Sequence, residues 1–231
     1  MSVAKRVQVV KYGSVSVRVS DDPAGDVARS LAVRLRGAIR RRGSASLAVS
    51  GGSTAPSMLA ALVHEDVDWE RLTVWQVDER VAPDGHEDRN AGQLWFMPTE
   101  LRLMPVAGDD LAMAAMRYAE SLPDRFDVVH LGLGNDGHTA SWPPVPHADA
   151  PVVSGTSAVA MVGDFNGRGR MTLTPGPVNH ARGRLILTTG KSKADMVRRW
   201  LERDRSIPVS HVRRSGTTLF VDHAAAAKLP D

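Results

Sequence analysis

Asp136 and His138 are set two residues apart in the stretch LGLGNDGHTAS, Leu131 to Ser141. An imidazole is the side chain best suited to take up and return a proton near neutral pH, and a carboxylate beside it can fix its tautomer. Gly132, Gly134 and Gly137 flank the pair and let the backbone take positive φ and come close to a ligand. The run before them, Asp127 to Leu133, is apolar-rich with β-branched residues and reads as a central parallel strand, whose carboxyl end faces the ligand crevice of such sheets. His138 is therefore the expected centre of function. The three glycines also match the G-x-G-x-x-G dinucleotide fingerprint, but Pro143, Pro144, Pro146 and Pro151 interrupt the segment where its crossover helix would have to run.

Three further stretches carry groups of the right kind. SGGSTAP, Ser50 to Pro56, follows a short strand: Gly51 and Gly52 offer amide N–H groups, and Ser50, Ser53 and Thr54 offer hydroxyls. A helix starting near Pro56 points its positive end at the loop, which makes a phosphate cradle, although the lysine of a Walker A loop is missing. Lys193 lies in GKSKA, Gly190 to Ala194, again after an apolar strand; Leu185 stands where a Walker motif would need its first glycine. A lysine at a helix amino terminus opposes the dipole, and a bound anion would relieve it. VDER brings Asp78 and Arg80 to another strand end, where a guanidinium could grip a phosphate or carboxylate through two hydrogen bonds. Taken alone, each reads equally well as a polar turn or a surface ion pair. His138, His147, His180, His211 and His223 lack the spacing of a recognised metal site.

The elements that must position these groups follow from periodicity. Val7 to Val19 alternates as one or two short strands broken at Gly13; Asp22 to Arg42 is a helix stopped by Gly43. Strands are expected at Leu47 to Val49, Leu72 to Val77, Ala158 to Val162, Arg170 to Thr174, Leu185 to Thr189 and Thr217 to Val221. Helices are expected at Ser57 to Val63, Leu111 to Ser121 and Lys193 to Leu201, with a last helical turn or two at Ala224 to Lys228. Alternating strands and helices predict an α/β fold of three layers, a mostly parallel sheet with helices on both faces. At 231 residues and 42% hydrophobic content, one domain spanning 1–231 is expected. The formal charge of +3 sits largely in Arg34 to Arg42 and Arg198 to Arg205, near helix ends, and calls for no nucleic acid. There is no cysteine, which excludes disulfides and thiol catalysis. The start MSVAKRVQVVKYG lacks a signal-peptide core and no stretch reaches membrane-spanning length, so a cytoplasmic protein is expected.

In this order, strand-SGGSTAP, strand-DER with the Asp88-Arg89-Asn90 loop, LGLGNDGHTAS, and RMTLT followed by strand-G-x-x-K-A resemble the 6-phosphogluconolactonase family, from roughly Leu47 to Leu219. The resemblance implies a glucosamine-6-phosphate deaminase-like, Rossmann-like fold and cofactor-free hydrolysis of 6-phospho-D-glucono-1,5-lactone. It makes His138 the general base, with Asp78 or Asp136 holding its tautomer and backbone N–H groups of the Gly134 to Gly137 loop receiving the oxyanion. The substrate phosphate would fall to Ser50, Gly51, Gly52, Ser53, Thr54 and Lys193, with one or more of Arg80, Arg89 and Arg170, and Asn90 closing the acidic loop. The implied partner is a small sugar-phosphate lactone, acted on by a monomer or weak homo-oligomer with no nucleic acid or membrane. The chain departs from the family pattern at Trp142-Pro143-Pro144, expected to change the wall beside His138, and at Arg89. Two alternatives remain: a glucosamine-6-phosphate deaminase or isomerase, though TASWPP lacks the expected carboxylate, and a non-catalytic sugar-phosphate sensor.

Overall fold

The computed structural model describes residues 7–230; Met1 to Arg6 and Asp231 of the expected single domain lie outside the described residues. The first strands form a hairpin, β1 (Gln8–Tyr12) and β2 (Val15–Val19), turned at Gly13 with a φ of 60°. Helix α1 (Pro23–Arg42) starts where the Asp22 carboxylate accepts the Gly25 N–H at 3.0 Å and stops at Gly43, whose φ of 82° suits glycine. There follow β3 (Ala45–Val49), α2 (Ala55–Leu62), β4 (Leu72–Gln76), β5 (Asp78–Arg80), β6 (Glu100–Arg102) and α3 (Leu111–Glu120). The second half comprises β7 (Val128–Gly132), β8 (Val159–Val162), β9 (Arg170–Leu173), α4 (Pro175–His180), β10 (Arg184–Thr188), α5 (Ala194–Leu201) and β11 (Thr217–Val221).

Eight strands make one sheet in the order β1-β2-β11-β10-β7-β3-β4-β6, with β1 antiparallel and every other pairing parallel. Both faces are covered, and the strand sequences show why. Leu47, Val49, Val128, Leu185, Leu187 and Phe220 pack beneath α1 and α2, while their neighbours Ala48, Val129, Ile186, Leu219 and Val221 join Tyr118, Val197 and Trp200 of α3 and α5 on the other face. From β3 the chain builds outward through β4 to β6, then returns to β7 and builds the other way through β10 and β11. The order therefore reverses between β3 and β7, the strands that carry SGGST and the glycine–histidine loop, and a crevice opens at such a switch point.

Ala158 to Val162 and Arg170 to Thr174 do not join the parallel sheet. They form the hairpin β8–β9, which pairs with β5 as a separate antiparallel sheet in the order β5-β9-β8. Alternation cannot say which sheet a strand joins, and the short loop between them is what selects antiparallel pairing. Strand β6 and helix α4 arise where no element was expected, and residues 224–228 make hydrogen-bonded turns where a helical turn or two was expected.

Candidate active site

A cavity of about 440 Å³ lies at the carboxyl ends of β3, β4, β7 and β10. It gathers Ser50 to Thr54, Asp78, Arg80, Asn90, Gly134, Asp136, His138, Arg170 and Lys193, which is every residue singled out from the sequence except Arg89.

The β7 loop sets the imidazole. Asp136 Oδ1 lies 2.5 Å from His138 Nδ1 and also accepts the His138 backbone N–H at 3.1 Å. With the carboxylate as acceptor, Nδ1 carries the proton and Nε2 is left as the lone-pair nitrogen, with no protein partner among the described residues. Burial acting alone would raise the Asp136 carboxyl, but the hydrogen bond and charge of His138, with the backbone N–H groups of His138 and Asp136, hold it down at about 2. Phe165 packs edge-on against the imidazole with ring centroids 5.2 Å apart, which fixes the plane of the ring from the β8–β9 side. Gly134 serves by having no side chain, since a Cβ there would stand 2.1 Å from His138 Nδ1. Its N–H is donated to His138 O at 2.8 Å and that of Gly137 to Gly134 O at 3.2 Å, so of the Gly134 to Gly137 loop expected to receive an oxyanion these two N–H groups are taken, while that of Asn135 has no backbone partner among the described residues.

Asp78 is not the residue that orients His138. Its Oδ2 accepts the Ser141 hydroxyl at 2.8 Å and no hydrogen bond joins it to the imidazole. Burial raises its carboxyl, opposed by Ser141 and by the charges of Arg170 and Arg80. Arg89 is likewise corrected. It is buried against Glu79 at 3.1 Å and Asp84 at 3.0 Å, and donates to Ala82 O, so it cannot meet a substrate phosphate. The fully buried Glu79 is the hub: its carboxylate accepts from Gln76 Nε2 and from the backbone N–H groups of Arg80, Asn90 and Ala91. That network presses Asn90 against Gly51, where a Cβ would lie 2.2 Å from Asn90 Oδ1. Trp142 is buried in the core with its indole N–H on Leu173 O at 2.7 Å, so it does not form the wall beside His138; Phe165 does.

The same cavity holds donors of the kind an anion would need. Among the described residues the N–H groups of Gly51, Ser53 and Thr54 have no protein partner, while that of Gly52 reaches Gln93 Oε1 at 3.2 Å. The Ser50 hydroxyl and Thr188 Oγ1 are buried without partners. Thr54 caps α2 by position alone, with no side-chain bond, which leaves the first turn of the helix open to a ligand. Lys193 is half-buried, and its ammonium has neither a hydrogen-bond nor an ion-pair partner among the described residues; burial lowers it, against the opposing charge of Asp136. Gly190 N–H on the Asp222 carboxylate, 3.0 Å to each oxygen, anchors the turn that carries this lysine. Thr188, Thr189, Asn135 and Asn166 also line the cavity and were missed from sequence; the Thr188-Thr189 pair directly before GKSKA was the available signal. No group of three or more His, Asp or Glu among the described residues is placed to hold a metal.

A parallel sheet whose switch point opens into a polar cavity lined by a histidine, free amides and a lysine has the architecture of an α/β enzyme that takes a small ligand at its strand ends. Residues 19–221 match the family model for glucosamine-6-phosphate isomerases/6-phosphogluconolactonase, and the chain belongs to that family. Within it the chain groups with the 6-phosphogluconolactonases. The 6-phosphogluconolactonase of Pseudomonas aeruginosa is 34% identical over 86% of this chain and 90% of its own length, and that of Nostoc sp. is 30% identical over 93% and 98%. The fold is shared with a Shewanella baltica 6-phosphogluconolactonase structure, at a TM-score of 0.82 and 24% identity over 93% of this chain and 100% of that one. A monomeric glucosamine-6-phosphate deaminase shares it too, at 0.77 and 20% over 94% and 100%.

Proposed function

We propose that the chain hydrolyses 6-phospho-D-glucono-1,5-lactone to 6-phospho-D-gluconate, the lactonase step of the oxidative pentose phosphate pathway, with His138 as general base and no cofactor. The observation that carries the reading is the placement of His138 Nε2. It is left unpartnered by the Asp136–Nδ1 bond, in the same cavity as the Ser50–Thr54 cradle and the unpaired Lys193 ammonium. A lactone is an activated ester, so the reaction needs a positioned water, a base and an anchor for the substrate.

In this reading His138 Nε2 takes a proton from water as its oxygen bonds to C1, and the carbonyl becomes an oxyanion. The intermediate collapses by breaking the bond between C1 and the ring oxygen. The leaving alkoxide takes the proton back from the imidazolium, and the new carboxylic acid ionises to release one proton to solvent. Asp136 stabilises the imidazolium and keeps Nε2 as the acceptor. The phosphate is held by the free amides and hydroxyls of Ser50 to Thr54 with Lys193, so that binding far from C1 orients the ring.

The test is acid release from fresh 6-phosphogluconolactone, corrected for spontaneous hydrolysis and set against ammonia release from glucosamine 6-phosphate. Lactone turnover by the wild type, abolished in His138→Ala with product binding nearly intact, is the expected result. Ammonia release, or full turnover in His138→Ala, overturns the reading.

A further inference from the structure

We propose that a second cavity, on the β8–β9 side of His138, is a carboxylate site in which Arg80, Arg168 and Arg170 receive the C1 carboxylate that hydrolysis creates. The inference rests on the lactonase reading and adds a binding site to it. Arg168 carries the specificity, since it alone of the three arginines lies outside the main cavity.

The second cavity has a volume of about 530 Å³ and shares Arg80, His138, Asn166 and Arg170 with the first. Its own additions are Asp88, Gly167 and Arg168, from the acidic loop and the tip of the β8–β9 hairpin. Three guanidinium groups and one carboxylate thus line it, an excess of two positive charges before any contribution from His138. The three are held in place by bonds that do not exhaust them. Arg80 donates through Nη1 to Asp88 O at 2.6 Å. Arg168 is ion-paired with Asp88 Oδ2 through Nε at 2.9 Å and Nη2 at 2.7 Å, and its Nη2 also lies 3.3 Å from His86 Nε2. Arg170 donates through Nε and Nη2 to Phe165 O at 3.1 and 2.9 Å. Among the described residues, this leaves Arg80 Nη2, Arg168 Nη1 and Arg170 Nη1 without a protein partner. A guanidinium fork can hold a carboxylate through two hydrogen bonds, while the amides and hydroxyls of Ser50 to Thr54 and the Lys193 ammonium line only the first cavity, where they can take the phosphate.

Position decides which anion this is. C1 is the carbon attacked by water from His138, and His138 borders both cavities, so the only group of the substrate that gains charge does so at the mouth of the arginine cavity. The neutral lactone engages these donors weakly and the charge developing at C1 engages them strongly, which is the differential binding that lowers a barrier.

The experiment compares two competitive inhibitors of lactone hydrolysis, 6-phosphogluconate and the hexitol 6-phosphate of the same configuration, which differ only in the carboxylate. For the wild type, 6-phosphogluconate is expected to bind at least about tenfold tighter, the effect of a charge-assisted hydrogen bond. In Arg168→Gln that preference should fall about tenfold, with the hexitol phosphate constant unchanged; Arg168→Lys should restore part of it. Equal inhibition by the two compounds in the wild type overturns the proposal without relying on any variant. So does an equal loss for both in Arg168→Gln, which marks a general electrostatic effect or a phosphate contact, or no loss for either. Lactone turnover by the wild type, measured alongside, tests the underlying reading separately: if it is absent the lactonase reading falls, and if it is present while the preference is absent only the carboxylate site falls.

Discussion

Asp136→Asn isolates the pairing on which the proposed chemistry depends. The substitution keeps the size of the side chain and an oxygen able to accept the His138 backbone N–H and Nδ1–H, while removing the charge that stabilises the imidazolium. A hydrogen bond to a charged group contributes about 1.5–3 kcal/mol. The Asp136 and His138 side chains are 40% and 31% exposed, and water screens such a pair, so the lower end of the range applies. A loss of about 1.5–2 kcal/mol of transition-state stabilisation lowers kcat by about ten- to thirtyfold. KM should stay level or fall slightly, because the removed charge is the one acting on Lys193, and its loss leaves that ammonium freer to attract phosphate. Asp136 is held at about 2, so it is ionised throughout the range in which turnover can be followed and contributes no limb of its own to the pH–rate profile. The sign for stability runs the same way: a depressed carboxyl stabilises the fold above its unfolded pKa of about 3.9, and that contribution is lost as pH falls towards about 2. The measurement is initial-rate acid release at several lactone concentrations. A kcat within twofold of wild type, or a large rise in KM with kcat intact, would refute the reasoning.

Lys193→Ala should raise KM by about tenfold or more while kcat changes little, since one desolvated charge on phosphate is removed; an unchanged KM would misplace the phosphate. Gly134→Ala should cut kcat steeply by pushing the imidazole off its seat, because its Cβ would lie 2.1 Å from Nδ1, and thermal melts should show how much of the loss is folding. Arg184→Leu should leave kcat alone but destabilise by about 3 kcal/mol or more, because the buried guanidinium donates to the Asn179, Ala181 and Ser215 carbonyls and to Thr217 Oγ1; chemical denaturation reads this out. His130 is fully buried in β7 and burial lowers its imidazole to about 4. The unfolded chain therefore takes up this proton first, and stability should be full above about pH 6.5 and fall as pH drops from there towards 4, by about 3 kcal/mol at most. His130→Leu should remove that part of the slope in denaturation measured between pH 4 and 7.

What the sequence revealed was the chemistry of strand ends. SGGST, DER, the DGH triplet and Lys193 were legible because glycine, charge and a preceding apolar run coincide, and a parallel sheet brings the ends of its central strands together whatever the detailed packing. Roles within the site were less legible, because they depend on where a side chain finds a partner. Arg89 reads on paper as a phosphate ligand; only the fold shows the buried Glu79 that claims it. Asp78 and Asp136 are equivalent as candidate partners for an imidazole until Ser141 is seen on the first and His138 on the second. Trp142 stands four residues from His138 in the chain, yet the turn at Thr139 to Trp142 sends it into the core.

The small antiparallel sheet is the feature that alternation could not assign, and it is also what separates the two ends of the site. Because β5 continues directly from β4 and pairs with β9, the hairpin β8–β9 is drawn over the carboxyl edge of the main sheet. Its tip delivers Phe165 to the imidazole, Asn166 to both cavities and Arg168 to the second. In the proposed reading the main sheet supplies the base and the cradle for an anion the substrate already has, while the added sheet supplies cations placed where a new anion forms. That division gives the hairpin its own experimental signature. Changes at Phe165 or Arg168 should act on kcat and on product affinity, whereas changes at Ser53 or Lys193 should act on KM for every phosphorylated ligand alike. A Phe165→Leu variant that raised KM with kcat intact would place the hairpin in the phosphate site instead and break the division.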